Sequence, residues 1–263
     1  MLEVLELEKI PFLPDPSPES IFRSSQLEEA VRRLTFGVLA KGINMLDGEA
    51  GVGKTTALRE LARLLTAQGY RVLYSNESTG GAFGVLRSLH YGLGMKPPHF
   101  KADLSQKFVE ACIAAEDKLV VIIDEGQLLN EDGLQQLRLL TNREFDTRPP
   151  FALVLAGCPE LREALATPRM TSLKKRILMS YHLEGLTEDE AKLYLEHHLQ
   201  RAGARRKLFD AATIRELFGH SRGNPRTLNQ LALTALIAAV SAGKTAVGLD
   251  QLRQAVRELE ARP

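Results

Sequence analysis

A glycine-rich stretch from Gly48 to Thr55 carries residue types that could bind a triphosphate. It matches the pattern GxxxxGK[ST] at every required position, and glycines let the backbone turn N–H groups toward phosphate oxygens that side chains would otherwise block. Lys54 would add a positive charge, and Thr55 would offer its hydroxyl to Mg²⁺. A glycine-rich turn that matches by chance is the alternative. We predict a phosphate-binding loop made of Gly48, Glu49, Ala50, Gly51, Val52, Gly53, Lys54 and Thr55.

Two adjacent carboxylates, Asp124 and Glu125, follow an uninterrupted apolar run from Leu119 to Ile123. Such a run is typical of a strand buried on both faces of a parallel sheet, and the carboxyl end of that strand opens into the crevice where α/β proteins bind ligands. There Asp124 could hold the Mg²⁺ shell, while Glu125 could orient and deprotonate an attacking water. An acidic helix start after a core strand is the alternative interpretation.

The flanks of the glycine-rich stretch indicate the elements that must position it. Ile43 to Leu46 is typical of a short buried strand, and Lys54 to Gln68 has apolar residues at helical spacing. A strand that leads through a glycine-rich turn to a helix N-terminus is an arrangement that binds anions. We therefore expect the loop to lie between a strand and a helix.

Further strands alternate with helices along the chain, which predicts a doubly wound parallel sheet. The segment from 76 to 101 is rich in glycine and receives no element. His90 and His99, which lie within this segment, have no metal-ligand companions and are interpreted as surface or packing residues. We predict strands at 71–75, 119–123, 151–156 and 177–183, helices at 25–39, 103–116 and 131–142, and a short helix that begins at Pro159.

The two ends of the chain differ from this pattern. Prolines at positions 11, 14, 16 and 18 predict an extended, non-helical arm before Glu19. Phe22 and Arg23 after it could lie near an adenine base or could simply pack. From Glu184 onward we predict helices at 187–202, 210–220, 225–241 and 250–259 and no strand. The expected domains are residues 1–183, an α/β nucleotide-binding domain with the arm, and residues 184–263, a helical lid.

Local signals mark the helices of the predicted lid. Thr187 and Asp250 are candidate N-caps, and Glu190 would complete a capping box with Thr187. Arg226 lies in the first turn of a helix after Gly223-Asn224-Pro225. A cation is unfavourable at the positive end of a helix dipole unless an anion is near, so Arg226 could face phosphate, although a solvated arginine is the alternative.

Composition limits the possible partners. Lys and Arg together number 34 against 33 Asp and Glu, so a nucleic-acid or membrane site would have to be a local patch. Cys112 and Cys158 lie in apolar stretches, which indicates reduced thiols. No secretory signal is visible at the start, and the apolar run from Leu231 to Val240 is shorter than the roughly 20 residues that span a bilayer. We expect a cytoplasmic protein without a membrane partner.

Taken together, the motifs resemble the AAA+ ATPase superfamily, with the resemblance extending from about Phe12 to the end of the chain. Within it the chain is similar to the ExeA/GspA-like group, which includes secretion accessory ATPases and transposon-encoded ATPases similar to TnsC, MuB and IstB. The resemblance implies a P-loop NTPase fold with a five-stranded parallel sheet flanked by helices, a C-terminal α-helical lid, and ATP and Mg²⁺ as ligands. It rests on the P-loop and on IDEGQ at 123–127, LQQLRLL at 134–140, GCPELR at 157–162 and GNPRTL at 223–228.

The same resemblance implies a role for each matching residue. Lys54, Thr55 and the adjoining Thr56 would bind phosphate and Mg²⁺, Asp124 would be the Walker B carboxylate, and Glu125 the catalytic base. Arg226 would be the sensor-2 arginine. One arginine of the cluster from Arg169 to Arg176 would be the finger inserted into a neighbouring subunit's site. Arg176 is preferred to Arg169 for this role. The sensor-1 position carries Gly157-Cys158 instead of a polar amide or hydroxyl; because a thiol donates weakly, slow hydrolysis is expected.

Two functional hypotheses remain open. In the first, ATP joins subunits into a ring or helical filament on double-stranded DNA, the assembly recruits a transposase, and hydrolysis dismantles it. In the second, the protein is a cytoplasmic ATPase that assists secretion or envelope assembly without binding DNA. Secretion members resemble longer chains with a transmembrane helix after the ATPase, whereas this sequence stops at Pro263, which favours the first hypothesis.

Local basic residues could contact DNA phosphates without reading base sequence. A solvated charged face is the alternative interpretation of each patch. The candidates are Arg87, Lys101 and Lys107 in one patch and Arg201, Arg205, Arg206 and Lys207 in another.

Overall fold

The computed structural model describes residues 2–15, 17–76, 81–115, 118–142 and 149–261. The chain divides into two compact units. Leu27–Leu183 form one, here the α/β unit, and Met1–Gln26 together with Glu184–Pro263 form the other, here the helical unit. This differs from the sequence-based expectation, which assigned residues 1–26 to the α/β domain.

The α/β unit is built on a five-stranded sheet in the order β2-β3-β4-β1-β5. All paired strands are parallel, so the predicted five-stranded parallel sheet is confirmed. The strands are β1 (Ile43–Asp47), β2 (Tyr70–Ser75), β3 (Lys118–Ile123), β4 (Ala152–Gly157) and β5 (Ile177–His182).

Burial along each strand follows its place in the sheet. Every residue of β1 and β4 is buried, and β3 is buried from its second residue onward. The edge strand β5 alternates half-buried and exposed residues. Continuously buried strands therefore occupy the middle of the sheet, where both faces are covered, and the strand with alternating burial lies at one edge.

Helices account for most of the remaining described residues. In chain order they are α1 (Leu2–Leu5), α2 (Ser25–Leu39), α3 (Lys54–Ala67), α4 (Gly81–Gly92), α5 (Lys101–Ala114), α6 (Glu131–Leu140), α7 (Pro159–Leu165), α8 (Thr171–Lys174), α9 (Glu188–Arg201), α10 (Ala211–Ser221), α11 (Pro225–Ser241) and α12 (Leu249–Glu260).

A long helix of the α/β unit, α4, was not predicted. α4 lies in the glycine-rich segment, yet Val85, Leu86 and Leu89 are buried in the core of the unit. His90 is also buried, and its ring packs against Phe108, which makes it a packing residue. The glycines lie at or near the ends of α4, where they do not prevent the apolar face from packing. The predicted end of the next helix, Glu116, lies outside the described residues.

The helical unit has its own core, to which the N-terminal segment contributes Leu5, Leu7 and Phe12. The expectation of a non-helical arm before Glu19 is wrong at α1, because the prolines begin only at Pro11. The Phe22 ring contacts the rings of Tyr194 and His197 within this unit.

Two predicted caps of the helical unit have different outcomes. Thr187 caps α9, and Glu190 completes the capping box, as predicted. Asp250 is not an N-cap, because α12 begins at Leu249 and Gly248 occupies the cap position. The Gln251 side chain accepts the Gly248 N–H at 3.2 Å. Asp250 is the second residue of the helix. In the described ranges, no helix combines the length and the apolar character needed to cross a bilayer.

Candidate nucleotide-binding site

The glycine-rich loop connects β1 to α3, as the sequence predicts. Gly53 has a φ of 111°, in the region that L side chains avoid, and forms the N-cap of α3. A Cβ atom on Gly48 would lie 2.4 Å from the Leu183 carbonyl oxygen, so a close backbone approach also requires glycine there. In the same loop, Glu49 and Ala50 are exposed and Val52 is buried, while Thr56 is half-buried in the first turn of α3.

Lys54 holds its ammonium group over this loop. Its Nζ donates to the carbonyl oxygens of Gly48 at 2.7 Å and Glu49 at 3.0 Å, and lies 3.6 Å from Cys158 Sγ. The residue is only 7% exposed. Among the residues that the structure describes, no carboxylate pairs with this ammonium, so its charge is available to an anion in the loop.

Asp124 and Thr55 come together at the end of β3. Thr55 Oγ1 donates to Asp124 Oδ2 at 3.0 Å, and Asp124 is 2% exposed. Hydroxyl and carboxylate oxygens suit a hard cation such as Mg²⁺, so these two residues fit the predicted metal site.

Tyr74, on β2, is a neighbour that the sequence analysis missed. Its hydroxyl donates to the same Asp124 Oδ2 at 3.0 Å. Burial, and then the charge of Asp124, raises the pKa of Tyr74 to about 12, so the phenol stays a hydrogen-bond donor at neutral pH. The sequence could have indicated this neighbour, because Tyr74 lies one residue before the end of β2. There it pairs with Ile122 of β3, two residues before Asp124.

Glu125 follows directly, in a left-handed backbone conformation with a φ of 54°. Its N–H donates to Asp124 Oδ1 at 2.9 Å, and its Oε2 accepts a hydrogen bond from Gln127 Nε2 at 2.6 Å. The side chain is half-buried just after the end of β3. Gln127 belongs to the IDEGQ motif but has no predicted role.

A second group that the sequence analysis missed lies just before the loop. Asp47, the last residue of β1, is fully buried and accepts hydrogen bonds from Arg162 of α7 and His182 of β5. Burial alone would raise the pKa of Asp47, but these two partners outweigh it and hold the pKa below its usual value. Leu183 N–H also donates to the Asp47 carbonyl at 2.7 Å. Asp47 therefore ties the start of the loop to α7 and β5.

The three candidate arginines lie in different surroundings. Arg176 is half-buried just before β5, and the exposed Arg169 pairs with Glu131 at 3.4 Å. Arg226 belongs to the helical unit, where it is exposed in the first turn of α11. Its N–H donates to the Asn224 side chain, which caps that helix. Within the α/β unit, the structure thus brings together Lys54, Thr55, Asp124 and Glu125.

The two cysteines are free thiols. Cys112 is buried in the core, and burial raises its pKa to about 12. Cys158 is half-buried at the N-cap of α7, beside Lys54.

Comparisons with known proteins agree with this geometry. The family model for the AAA domain matches residues 38–165. The chain is 34% identical over 245 residues to general secretion pathway protein A of Aeromonas hydrophila, covering 90% of this chain and 44% of that protein. It is 26% identical over 250 residues to ATP-dependent target DNA activator B of Escherichia phage Mu, covering 93% of this chain and 75% of that protein.

A solved structure extends the likeness beyond the matched domain. Cdc6p from Pyrobaculum aerophilum superposes with a TM-score of 0.74 at 17% identity, over 94% of this chain and 73% of that one. At this identity the likeness concerns the fold. The matched domain, the parallel sheet and the loop at the tip of β1 agree with one another: residues 38–165 match the AAA domain, and the chain has the fold of a P-loop ATPase.

Proposed function

We propose that this protein is a nucleotide-dependent switch that binds ATP with Mg²⁺ and hydrolyses it slowly. The observation that carries the proposal is the hydrogen bond of 3.0 Å between Thr55 and Asp124, beside a lysine whose acceptors are the loop carbonyls. A hydroxyl, a carboxylate and an ammonium group at a glycine-lined loop are the parts that P-loop enzymes use to hold a triphosphate.

Each residue then has a definite task. The glycine-rich loop and Lys54 hold the β- and γ-phosphates, while Thr55 and Asp124 hold Mg²⁺, which neutralises charge on the phosphate oxygens. Glu125 orients a water and takes its proton as the water oxygen bonds to the γ-phosphorus. The bond from that phosphorus to the bridging oxygen breaks, and ADP and phosphate leave.

Two arginines complete the proposed switch. Arg226 senses the γ-phosphate, and Arg176 acts as a finger on the site of a neighbouring protomer, where it neutralises charge on the transferred phosphoryl group. ATP therefore favours a homo-oligomer, either a ring or a helical filament. Cys158, whose thiol is a weak donor, makes hydrolysis slow enough to serve as a timer.

The proposed task of the switch is to bind double-stranded DNA in the ATP state and recruit a transposase to it. In support, the relative from phage Mu is described as an ATP-dependent target DNA activator, and the similarity covers 75% of its length. Exposed basic residues in the helical unit, Arg205 and Lys207, offer phosphate contacts. Arg201 and Arg206 of the same patch are engaged with Asp15 and Glu6 and contribute less.

A second candidate function is assistance to secretion or envelope assembly without DNA. It is favoured by the higher identity, 34%, to general secretion pathway protein A, although this chain spans only 44% of that protein. This hypothesis assigns no phosphate contact to Arg205 and Lys207.

A gel-shift assay separates the two functions. A non-specific duplex is titrated with protein in ATP, in ADP and without nucleotide, at low and moderate salt. We expect a shift only with ATP, and an affinity that falls steeply with salt because bound counterions are released from the phosphates.

Two variants sharpen this assay. Arg205→Ala with Lys207→Ala should weaken the shift, whereas Arg215→Ala, an exposed arginine paired with Glu188, should not. Absence of any shift with ATP would reject the DNA-dependent function and leave the secretion hypothesis.

A further inference from the structure

The carboxylate of Glu125 needs a restraint beyond its backbone. A glutamate side chain has several rotatable bonds, and misplacing a reacting group by about 1 Å can cost about 100-fold in rate. The backbone of Glu125 is held by Asp124 Oδ1, but that contact leaves the carboxylate free to swing. The hydrogen bond from Gln127 to Glu125 Oε2 supplies the missing restraint.

The Gln127 carboxamide is itself fixed in direction. Its Oε1 accepts the backbone N–H of Cys158 at 3.0 Å, while its Nε2 donates to Glu125 at 2.6 Å. A backbone N–H can only donate, so the amide oxygen must face Cys158 and the NH₂ must face the carboxylate. The orientation of this amide follows from its partners, and reversing it would break both hydrogen bonds.

Room for this bridge depends on Gly157. A Cβ atom built on Gly157 would lie 2.6 Å from Gln127 Oε1. Gly126, within the turn that carries Gln127, likewise allows a close approach to the Ala156 carbonyl, 3.1 Å from its added Cβ. One glycine in the turn after β3 and one at the end of β4 therefore allow these two segments to pack closely.

The end of β4 has no side-chain amide of its own. The thiol of Cys158 lies beside Lys54 and is a weak donor, whereas its backbone N–H is directed at Gln127. An amide nevertheless reaches this end of the sheet, from the residue two positions after the catalytic carboxylate.

We propose that Gln127 is a positioning residue that anchors the Glu125 carboxylate to the end of β4 and supplies the amide that the Cys158 side chain lacks. The inference rests on the proposed function, because it concerns the base of the hydrolysis step. Gln127 acts through Glu125, so its loss changes the rate of turnover and leaves nucleotide binding intact.

The test compares steady-state ATP turnover and ATP affinity in the full chain. Gln127→Met keeps the length and packing of the side chain but makes neither hydrogen bond. We expect kcat to fall by about 10- to 100-fold, with the Kd for ATP changed less than about threefold. Gln127→Glu retains an acceptor for the Cys158 N–H but places a carboxylate beside Glu125, so its kcat should fall at least as far.

A matched control comes from the same unit. Gln106 donates to Glu110 at 2.8 Å on the exposed face of α5, so Gln106→Met removes an amide-to-carboxylate hydrogen bond of the same type far along the chain from the loop. Its kcat and Kd should equal those of the unsubstituted protein. Equal losses of kcat and ATP affinity in Gln127→Met would overturn the inference, because they would indicate a structural role.

Glu125→Gln distinguishes failure of this inference from failure of the proposed function. If Glu125→Gln slows turnover and Gln127→Met does not, the positioning role is rejected and the function stands. If Glu125→Gln leaves turnover unchanged, the assignment of the base is rejected and the positioning role with it.

Discussion

The ammonium group of Lys54 is buried, which is unusual for a charge without a described carboxylate partner. Carbonyl oxygens of its own loop hold it in place. Burying a charge without a counterion is costly, so this arrangement is favourable when an anion enters the loop. The nearby carboxylate Asp124 is instead engaged with Thr55 and Tyr74.

Replacing this lysine should remove nucleotide binding. In Lys54→Ala we expect the affinity for ATP to fall by roughly 100-fold or more, because a hydrogen-bonded charge on the phosphates is lost. Titration calorimetry with ATP measures the effect.

Circular dichroism should show that the fold of Lys54→Ala is unchanged. Lys107→Ala, which removes only an exposed pair with Asp103, should bind ATP normally. Tight ATP binding by Lys54→Ala would reject the phosphate-binding assignment.

A side chain in the first turn of α9 makes hydrogen bonds to the starts of two helices. Glu190 Oε2 accepts the Thr187 N–H at 3.1 Å, which completes the capping box. Its other oxygen, Oε1, accepts the N–H of Ser25 at 2.8 Å and the Ser25 hydroxyl at 2.7 Å, at the start of α2. One carboxylate therefore binds donors at the beginnings of two helices.

Loss of Glu190 should cost more than loss of the cap alone. We expect Thr187→Ala to lower the free energy of unfolding by about 1 kcal/mol and Glu190→Ala by about 2 kcal/mol, because the latter also leaves Ser25 without its acceptor. Lys192→Ala, on the exposed face of α9, should change it by less than about 0.5 kcal/mol. Urea unfolding at pH 7, followed by helical circular dichroism, gives the comparison.

Acidity should abolish the Glu190 contribution. Burial alone would raise the pKa of Glu190, but the hydrogen bonds from Ser25 and Thr187 lower it below its usual value. A lowered pKa in the folded state gives stability that is present above the unfolded pKa of about 4.3 and is lost as the pH falls through the folded value. The difference between the unsubstituted protein and Glu190→Ala should therefore shrink below about pH 4; a difference that persisted there would contradict this account.

The protein as a whole consists of two compact units, with the metal-binding and catalytic candidates in one and Arg226 in the other. Under the proposed function, a complete site also needs Arg176 from a neighbouring protomer. Each protomer would provide both a site and a finger. A variant that lacks the finger and a variant that lacks the base could therefore form a complete site together.

Mixing two inactive variants tests this assembly. Arg176→Ala keeps Glu125 but lacks the finger, and Glu125→Gln keeps the finger but lacks the base. We expect each alone to hydrolyse ATP at least about 100-fold more slowly than the unsubstituted protein, and an equimolar mixture to recover measurable turnover at mixed interfaces. Arg169→Ala mixed with Glu125→Gln serves as the control, and recovery only with Arg169→Ala would move the finger to Arg169.

Much of the site was predictable because its signals are local. The glycines and Lys54 occur within one loop, and the apolar run before Asp124 identifies a strand buried on both faces. The capping box of α9 is likewise a pattern of four adjacent positions. Patterns of this kind determine which element a segment forms, since the physical partners are close along the chain.

Contacts between distant segments could not be predicted in this way. Gln127 meets Cys158, 31 positions away, because β3 and β4 are neighbours in the sheet and end at the same edge. Asp47 meets Arg162 and His182 at separations of 115 and 135 residues, and Leu5 is buried among helices from the far end of the chain. Glycine and apolar patterns specified the loop and the strands, but the order of the strands decided which side chains surround Glu125 and Asp47, because only packing brings such distant residues within hydrogen-bond reach.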